Sequence, residues 1–250
     1  MNENFMKEKP AGPLLASMAL PMVLSMLVNS LYNIVDSVFV SRVSESALTA
    51  VSLAYPVQTL LIAFSVGSAV GVNSLVARKL GEHDREAANS AATHGMVMSV
   101  ILSVPFMLFA LFGADSFARA FATTDSTAVM CADYLRVVCI CAAFVFVEIA
   151  AEKILQATGN MVWPMIMQLT GAITNIILDP IFIFGLDLGI SGAALATAIS
   201  PVISISICSL HFRKPTNGVQ FVRQRPSARL LLQSCQLGIS GFVGEMSSGV

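Results

Sequence analysis

One uninterrupted apolar stretch decides the fold class: residues 48–77 read LTAVSLAYPVQTLLIAFSVGSAVGVNSLVA and contain no acidic or basic side chain. A helix needs about 20 apolar residues to cross the hydrocarbon core of a bilayer, so this run can cross it with tilt. Comparable runs lie at 14–35, 87–114, 154–178 and 188–210, and His94 is the only possible charge within them. The pattern predicts several membrane-spanning helices.

The overall composition excludes several classes of protein. Of the 250 residues, 56% are hydrophobic and 12% are charged, and the mean hydropathy is +0.78. A water-soluble domain carries about 25% charged residues, so the polar coat that such a domain needs is missing. The net charge of −1 offers no basic surface to a nucleic acid. Because we also find no Walker motif, no GxGxxG and no nucleophile–base constellation, we expect neither an enzyme nor a bound cofactor.

A fourth span is weaker than the others. The apolar run between Arg136 and Glu148 is too short to cross a bilayer, so we place this span at 134–151, with Glu148 near one end. The predicted fold is an all-α integral membrane protein, a six-transmembrane-helix bundle at 14–212. Residues 1–13 precede the bundle, 213–229 form a polar connector with two prolines, and 230–250 read as the truncated start of a seventh helix.

The positions of Lys and Arg predict the orientation of the bundle. One side receives residues 1–13, the second–third loop, Lys153 in a fourth–fifth loop, and the connector; together these carry all but three of the 14 Lys and Arg residues. Cytoplasmic loops carry such an excess. We therefore expect the N-terminus and the connector to be cytoplasmic, in the inner membrane of a bacterial or archaeal cell.

Polar side chains inside the first span form a seam. A carboxylate in mid-membrane costs about 2.5–3.5 kcal/mol on insertion scales, so Asp36 should face the bundle or a wet cavity. At 100° per residue, one face of the first span carries Ser25, Asn29, Tyr32, Asn33 and Asp36. Taken alone, Asp36 could equally reach the membrane interface.

The fifth span repeats this pattern. Gln168, Gly171, Asn175 and Asp179 share one face, and Asp179 is followed by Pro180. Thr197 lies on a polar face of the sixth span. Oxygen-rich side chains beside carboxylates suit Na⁺ or a proton held between acids, although single Asn and Thr residues commonly join helices without any other role.

Glu148 and Glu152 are open to two interpretations. They either have a functional role or belong to a solvated helix end, and Lys153 beside Glu152 favours the solvated end. Gly67-x-x-x-Gly71 in the second span predicts a close helix approach, which is common in membrane proteins.

Motifs in order along about 200 residues resemble the multidrug and toxic compound extrusion (MATE) transporters, in the branch related to the DNA-damage-inducible F protein. They include Ala19-Leu20-Pro21, Leu31-Tyr32-Asn33-Ile34-Val35-Asp36, Leu48–Pro56, Ala77–Glu82, Leu155–Asn160, Asn175–Pro180 and Gly192–Thr197. The resemblance implies two six-helix lobes around a central cavity, of which this chain supplies the N-terminal lobe.

The resemblance also implies site residues. Asp36 and Asp179 match two functional aspartates of that lobe, Asn175 and Thr197 match their polar partners, and Tyr134 matches a nearby tyrosine; Asn33 and Gln168 are auxiliary candidates. We therefore expect a secondary active antiporter that exports organic cations and other drugs in exchange for H⁺ or Na⁺.

Other functions stay open at this stage. The second lobe could be a separate chain, or two copies could pair. The chain could also be a non-transporting remnant or assembly partner. A lipid or saccharide flippase of the wider superfamily is a further alternative. Basic residues facing the lobe interior would favour it, and the runs at 14–35, 48–77, 87–114, 154–178 and 188–210 contain no Lys or Arg.

Overall fold

The computed structural model describes residues 11–212, 219–222 and 228–248. Every secondary-structure element in these ranges is a helix. We number the helices in chain order. They are α1 Ala11–Ser41, α2 Glu45–Gly81, α3 Arg85–Phe112, α4 Ala114–Phe121, α5 Asp125–Ile140, α6 Ala142–Ala157, α7 Val162–Pro180, α8 Gly189–Phe212 and α9 Ala228–Ser248.

Short polar side chains cap the N-terminal ends of α2 and α3. Ser44 and Asp84 accept hydrogen bonds from the backbone N–H groups of Ala47 and Ala87, each at 3.0 Å. These are N-cap bonds, which satisfy donors that the first turn of a helix leaves free. Only three residues separate α1 from α2, and three separate α2 from α3.

The described residues confirm an all-α bundle with membrane-spanning helices. Five single helical stretches are long and apolar enough to cross a membrane, and the pair of α5 and α6, bent by 47°, passes the same test when it is taken together. Pro180 is followed by a π-helical turn, Ile181–Gly185, which extends α7. The predicted count of six spans agrees with this bundle when the bent pair is one span.

The predicted limits of the fourth and fifth spans are wrong. The fourth span covers α5 and α6 rather than 134–151, and Ile154 belongs to α6, not to the fifth span. The helix stops at Thr158-Gly159-Asn160, where Gly159 has a φ of 78°, and α7 begins at Val162. Hydropathy misses this stop because its residues carry no charge, whereas a positive φ at glycine ends a helix. Lys153 consequently lies in the last turns of α6 and not in a loop.

The close approach predicted at Gly67 and Gly71 is made with α9. A Cβ atom at Gly71 would collide with the backbone oxygen of Ser234, and one at Gly238 with that of Gly67. The backbones of α2 and α9 are therefore in direct contact, as small residues allow between membrane helices. The run predicted as a seventh helix is thus a helix packed on the lobe.

Most of the predicted connector lies outside the described residues, as do residues 1–10, 249 and 250. Its described part, 219–222, lies against α3. The backbone N–H groups of Gln220 and Val222 donate to Asn89 Oδ1 and Thr93 Oγ1 at 2.7 and 3.0 Å. Val219 is buried beside this contact. Asn89 and Thr93 are one helical turn apart, so they bind alternate residues of an extended segment.

Candidate functional site

Two acidic side chains meet where α1 and α7 approach their C-terminal ends. Asp36 of α1 and Asp179 of α7 have their carboxyl groups within hydrogen-bonding reach of each other. The two helices pack side by side, and Thr197 comes from α8, which packs against both. We call Asp36, Asn175, Asp179 and Thr197 the aspartate cluster.

Asn175 holds Asp179 in place. The Asn175 amide can satisfy both of its ends: its nitrogen donates to Asp179 Oδ2 at 3.0 Å, and its oxygen accepts from the Thr197 backbone N–H at 3.2 Å. With the amide turned over, its nitrogen instead lies 3.4 Å from Thr197 Oγ1. We assign the first orientation because a buried amide is expected to have both ends paired. Asp179 and Asn175 are only 0% and 2% exposed.

One oxygen of each aspartate is left without a partner. Asp36 Oδ1 and Asp179 Oδ1 are buried, and neither has a hydrogen-bond partner among the described residues. An unsatisfied buried acceptor costs about 1–3 kcal/mol, and more when it is charged. Two such oxygens on adjacent carboxyl groups, beside an amide and a hydroxyl, can share a proton or contribute ligands to a hard cation such as Na⁺.

Tyr134 and Tyr32 lie near the same carboxyl groups. Tyr134, on α5, is 3% exposed, and Asp36 is among its electrostatic neighbours. Its hydroxyl oxygen accepts a hydrogen bond from Gln58 Nε2 at 3.0 Å. Sequence reasoning missed Gln58, which lies on α2 within an apolar run; only the packing of α2 against α5 reveals its role. Tyr32 has Asp36, Asp179 and Glu148 as electrostatic neighbours.

Asn33 and Gln168, the two remaining auxiliary candidates, form no hydrogen bond with the aspartate cluster among the described residues. Asn33 is exposed, and its Nδ2 lies 3.5 Å from Asn29 Oδ1 one turn earlier on α1. Gln168 donates instead to Glu152 Oε2 at 3.3 Å. The polar face of α1 is accordingly split, because Ser25 is buried while Asn29 and Asn33 are exposed.

Glu152 contradicts the interpretation as a solvated helix end, because it is only 7% exposed. Its Oε1 accepts from Gln156 Nε2 at 2.8 Å and from Lys153 Nζ at 3.4 Å. Gln168 completes this second group, and we call Glu152, Lys153, Gln156 and Gln168 the glutamate cluster. Hydropathy averaged along the chain could not show that α1 and α7 cover this turn of α6.

A small cavity of about 60 Å³ opens beside the glutamate cluster. Its wall combines the four residues of that cluster with Ser25, Pro164 and the methionines Met22, Met26, Met161 and Met165. Methionine side chains are flexible and polarisable, so this wall can adapt its shape.

Comparison with known proteins assigns the family of this apolar helix bundle. The MatE family model matches residues 21–181. This match covers more than half of the chain, and the chain therefore belongs to the MatE family of multi-pass membrane transporters.

Known relatives agree with this assignment. The multidrug export protein MepA of Staphylococcus aureus (strain bovine RF122 / ET3-1) is 28% identical over 248 residues, which cover 98% of this chain and 55% of MepA. A MOP superfamily transporter from Pyrococcus furiosus, described as having a binding pocket of reverse polarity, superposes with a TM-score of 0.87 at 31% identity. A MATE structure in complex with MaL6 gives a TM-score of 0.89 at 30% identity.

The chain spans about half the length of these proteins. The two structures each cover 94% of this chain, while the chain covers 52% and 53% of them.

Proposed function

We propose that this chain is the N-terminal lobe of a multidrug efflux antiporter, in which the aspartate cluster binds the coupling cation, H⁺ or Na⁺. One observation carries the proposal: Asp36 and Asp179 come from different helices, lie within hydrogen-bonding reach, and each keep one buried oxygen without a partner among the described residues. A second lobe would complete the drug cavity, since the chain spans about half of MepA.

The cation acts in this proposal by changing the interaction between α1 and α7. Two adjacent carboxylates repel each other, so a proton or Na⁺ between them lets the helices approach, and its loss separates them. Drug and cation then compete for the lobe. One cation that moves inward through 100 mV supplies about 2.3 kcal/mol, which supports about a fifty-fold gradient of a neutral substrate.

Two single substitutions test the proposal, each made in the protein expressed from the complete reading frame that contains this chain. Asp36→Asn and Asp179→Asn keep the size of each side chain but remove its charge, so both should abolish cation-driven ethidium efflux and drug resistance. The matched control is Asp187→Asn. Asp187 is exposed and has a φ of 54°, a conformation that Asn tolerates well, so efflux should be unchanged.

Reconstituted vesicles distinguish the two cations. A drug gradient should drive either proton movement, read with a pH-sensitive dye, or uptake of radioactive Na⁺. Full efflux by either aspartate variant, at matched membrane abundance, would refute the proposal. Movement of a labelled lipid-linked anion in place of ethidium would favour the flippase alternative.

A further inference from the structure

Resting on the proposed function, we infer that Gln58 is a positioning residue that orients the Tyr134 hydroxyl toward the aspartate pair and so sets the affinity for the coupling cation. Gln58 lies on α2 and Tyr134 on α5, and neither belongs to the helices that carry the aspartates. The contact therefore links the site to two further helices of the lobe.

The direction of the hydrogen bond carries the inference. Gln58 Nε2 bears only donor hydrogens, so Tyr134 Oη is the acceptor in their 3.0 Å contact. The hydroxyl has a single proton, and this bond directs that proton away from Gln58. In the described residues the proton has no acceptor within a hydrogen bond, although Tyr134 is buried.

Charged groups lie in the electrostatic surroundings of the Tyr134 hydroxyl. Asp36 is the foremost charged neighbour of Tyr134, ahead of Asp179. Asp36 Oδ1 is itself a buried acceptor without a partner among the described residues. Tyr134 is thus a buried donor without an acceptor, and its foremost charged neighbour carries a buried acceptor without a donor.

This arrangement makes Tyr134 a competitor of the cation. When the cation leaves, the Tyr134 hydroxyl can donate to the freed carboxylate oxygen and stabilise its charge, because hydrogen bonds to charged groups are the stronger ones. When the cation binds, that bond is given up. Gln58 keeps the hydroxyl from turning away, so it favours cation release and prevents the site from holding the cation too tightly.

The test uses Gln58→Met, which keeps the length of the side chain and removes its hydrogen bonding. We expect the H⁺ or Na⁺ concentration for half-maximal efflux to fall by about three- to tenfold, because the competing bond is weakened. The matched control is Asn73→Leu, also on α2, which removes a half-buried amide whose Nδ2 donates to the Lys153 carbonyl at 2.6 Å. That variant should leave the concentration unchanged.

A second variant separates positioning from structure. If Gln58 acts through the Tyr134 hydroxyl, Gln58→Met should shift the half-maximal concentration in the parent protein but not in a Tyr134→Phe background. An equal shift in both backgrounds, no shift in either, or a shift to higher concentration would overturn the inference. The last result would mean that the Gln58 carbonyl accepts the Tyr134 proton.

Failure of the proposed function gives a different result. Asp36→Asn, measured in the same assay, would then retain cation-dependent efflux whatever Gln58→Met does. Loss of cation dependence in Asp36→Asn together with an unshifted Gln58→Met would overturn only the role of Gln58. Thermal unfolding midpoints of the purified variants identify any loss of folding.

Discussion

The lobe contains two groups of acidic side chains that differ in how their oxygens are satisfied. In the glutamate cluster, Glu152 accepts from Gln156, Gln168 and Lys153, so both of its oxygens have donors. In the aspartate cluster, Asn175 is the hydrogen-bond donor to Asp179, and Asp36 Oδ1 and Asp179 Oδ1 lack partners among the described residues. The aspartate cluster joins α1, α7 and α8, whereas the glutamate cluster joins α6 and α7.

Under the proposed function, the difference separates an acid that stabilises the fold from a pair of acids that binds the coupling cation. A buried carboxylate with a neighbouring cation and two amide donors already has its charge compensated, and an added cation gains little. Two adjacent carboxyls with free oxygens carry an uncompensated electrostatic cost, which a proton or Na⁺ would relieve. Burial is therefore common to both groups, and satisfaction of the oxygens distinguishes their roles.

The largest further effect should come from Asn175→Leu. This change leaves the buried Asp179 Oδ2 without its donor, which costs about 1–3 kcal/mol. Efflux should fall by at least about tenfold. The control is again Asn73→Leu, and ethidium efflux at matched abundance is the measurement. Activity within about twofold of the parent would mean that Asn175 does not organise the aspartates.

A smaller effect on transport should follow Glu152→Gln. The new amide retains one oxygen for Gln156 or Gln168, but Lys153 loses its ionic partner. We expect cation dependence to persist, and the thermal unfolding midpoint in detergent to fall by about 2–6 °C, equivalent to about 1–2 kcal/mol. Loss of cation dependence, as expected for Asp36→Asn, would place Glu152 in the coupling site and remove the contrast.

The smallest effect should come from Lys153→Met. The Lys153 side chain is 21% exposed and lies 3.4 Å from Glu152 Oε1, and such a partly solvated pair contributes about 0–1 kcal/mol. Glu152 keeps both glutamine donors. Unfolding midpoints should agree within about 2 °C, with unchanged efflux. A decrease as large as that of Glu152→Gln would show that the charge of Lys153, rather than the amides, compensates the buried acid.

Particular residues show how much could be predicted. Asp36 shares a polar helix face with Tyr32, and Asp179 shares one with Asn175, so helical periodicity predicted a polar face for each acid but left open whether Asp36 reaches the membrane interface. The pairing of those two faces came from resemblance to a family. Gln58 offered no signal, since a single amide in an apolar run is commonly a joint between helices.

The sequence by itself determined the membrane environment, the helical fold and the acids that cannot face lipid, because the cost of exposing charge to hydrocarbon depends on composition and local periodicity. Tertiary structure decided which carboxylate and hydroxyl oxygens accept hydrogen bonds from other helices. That outcome depends on contacts between residues far apart in the chain, such as Glu152 with Gln168 and Gln58 with Tyr134. Tertiary structure also decided that α9 packs against the glycines of α2, since only packing brings Gly67 and Gly238 together.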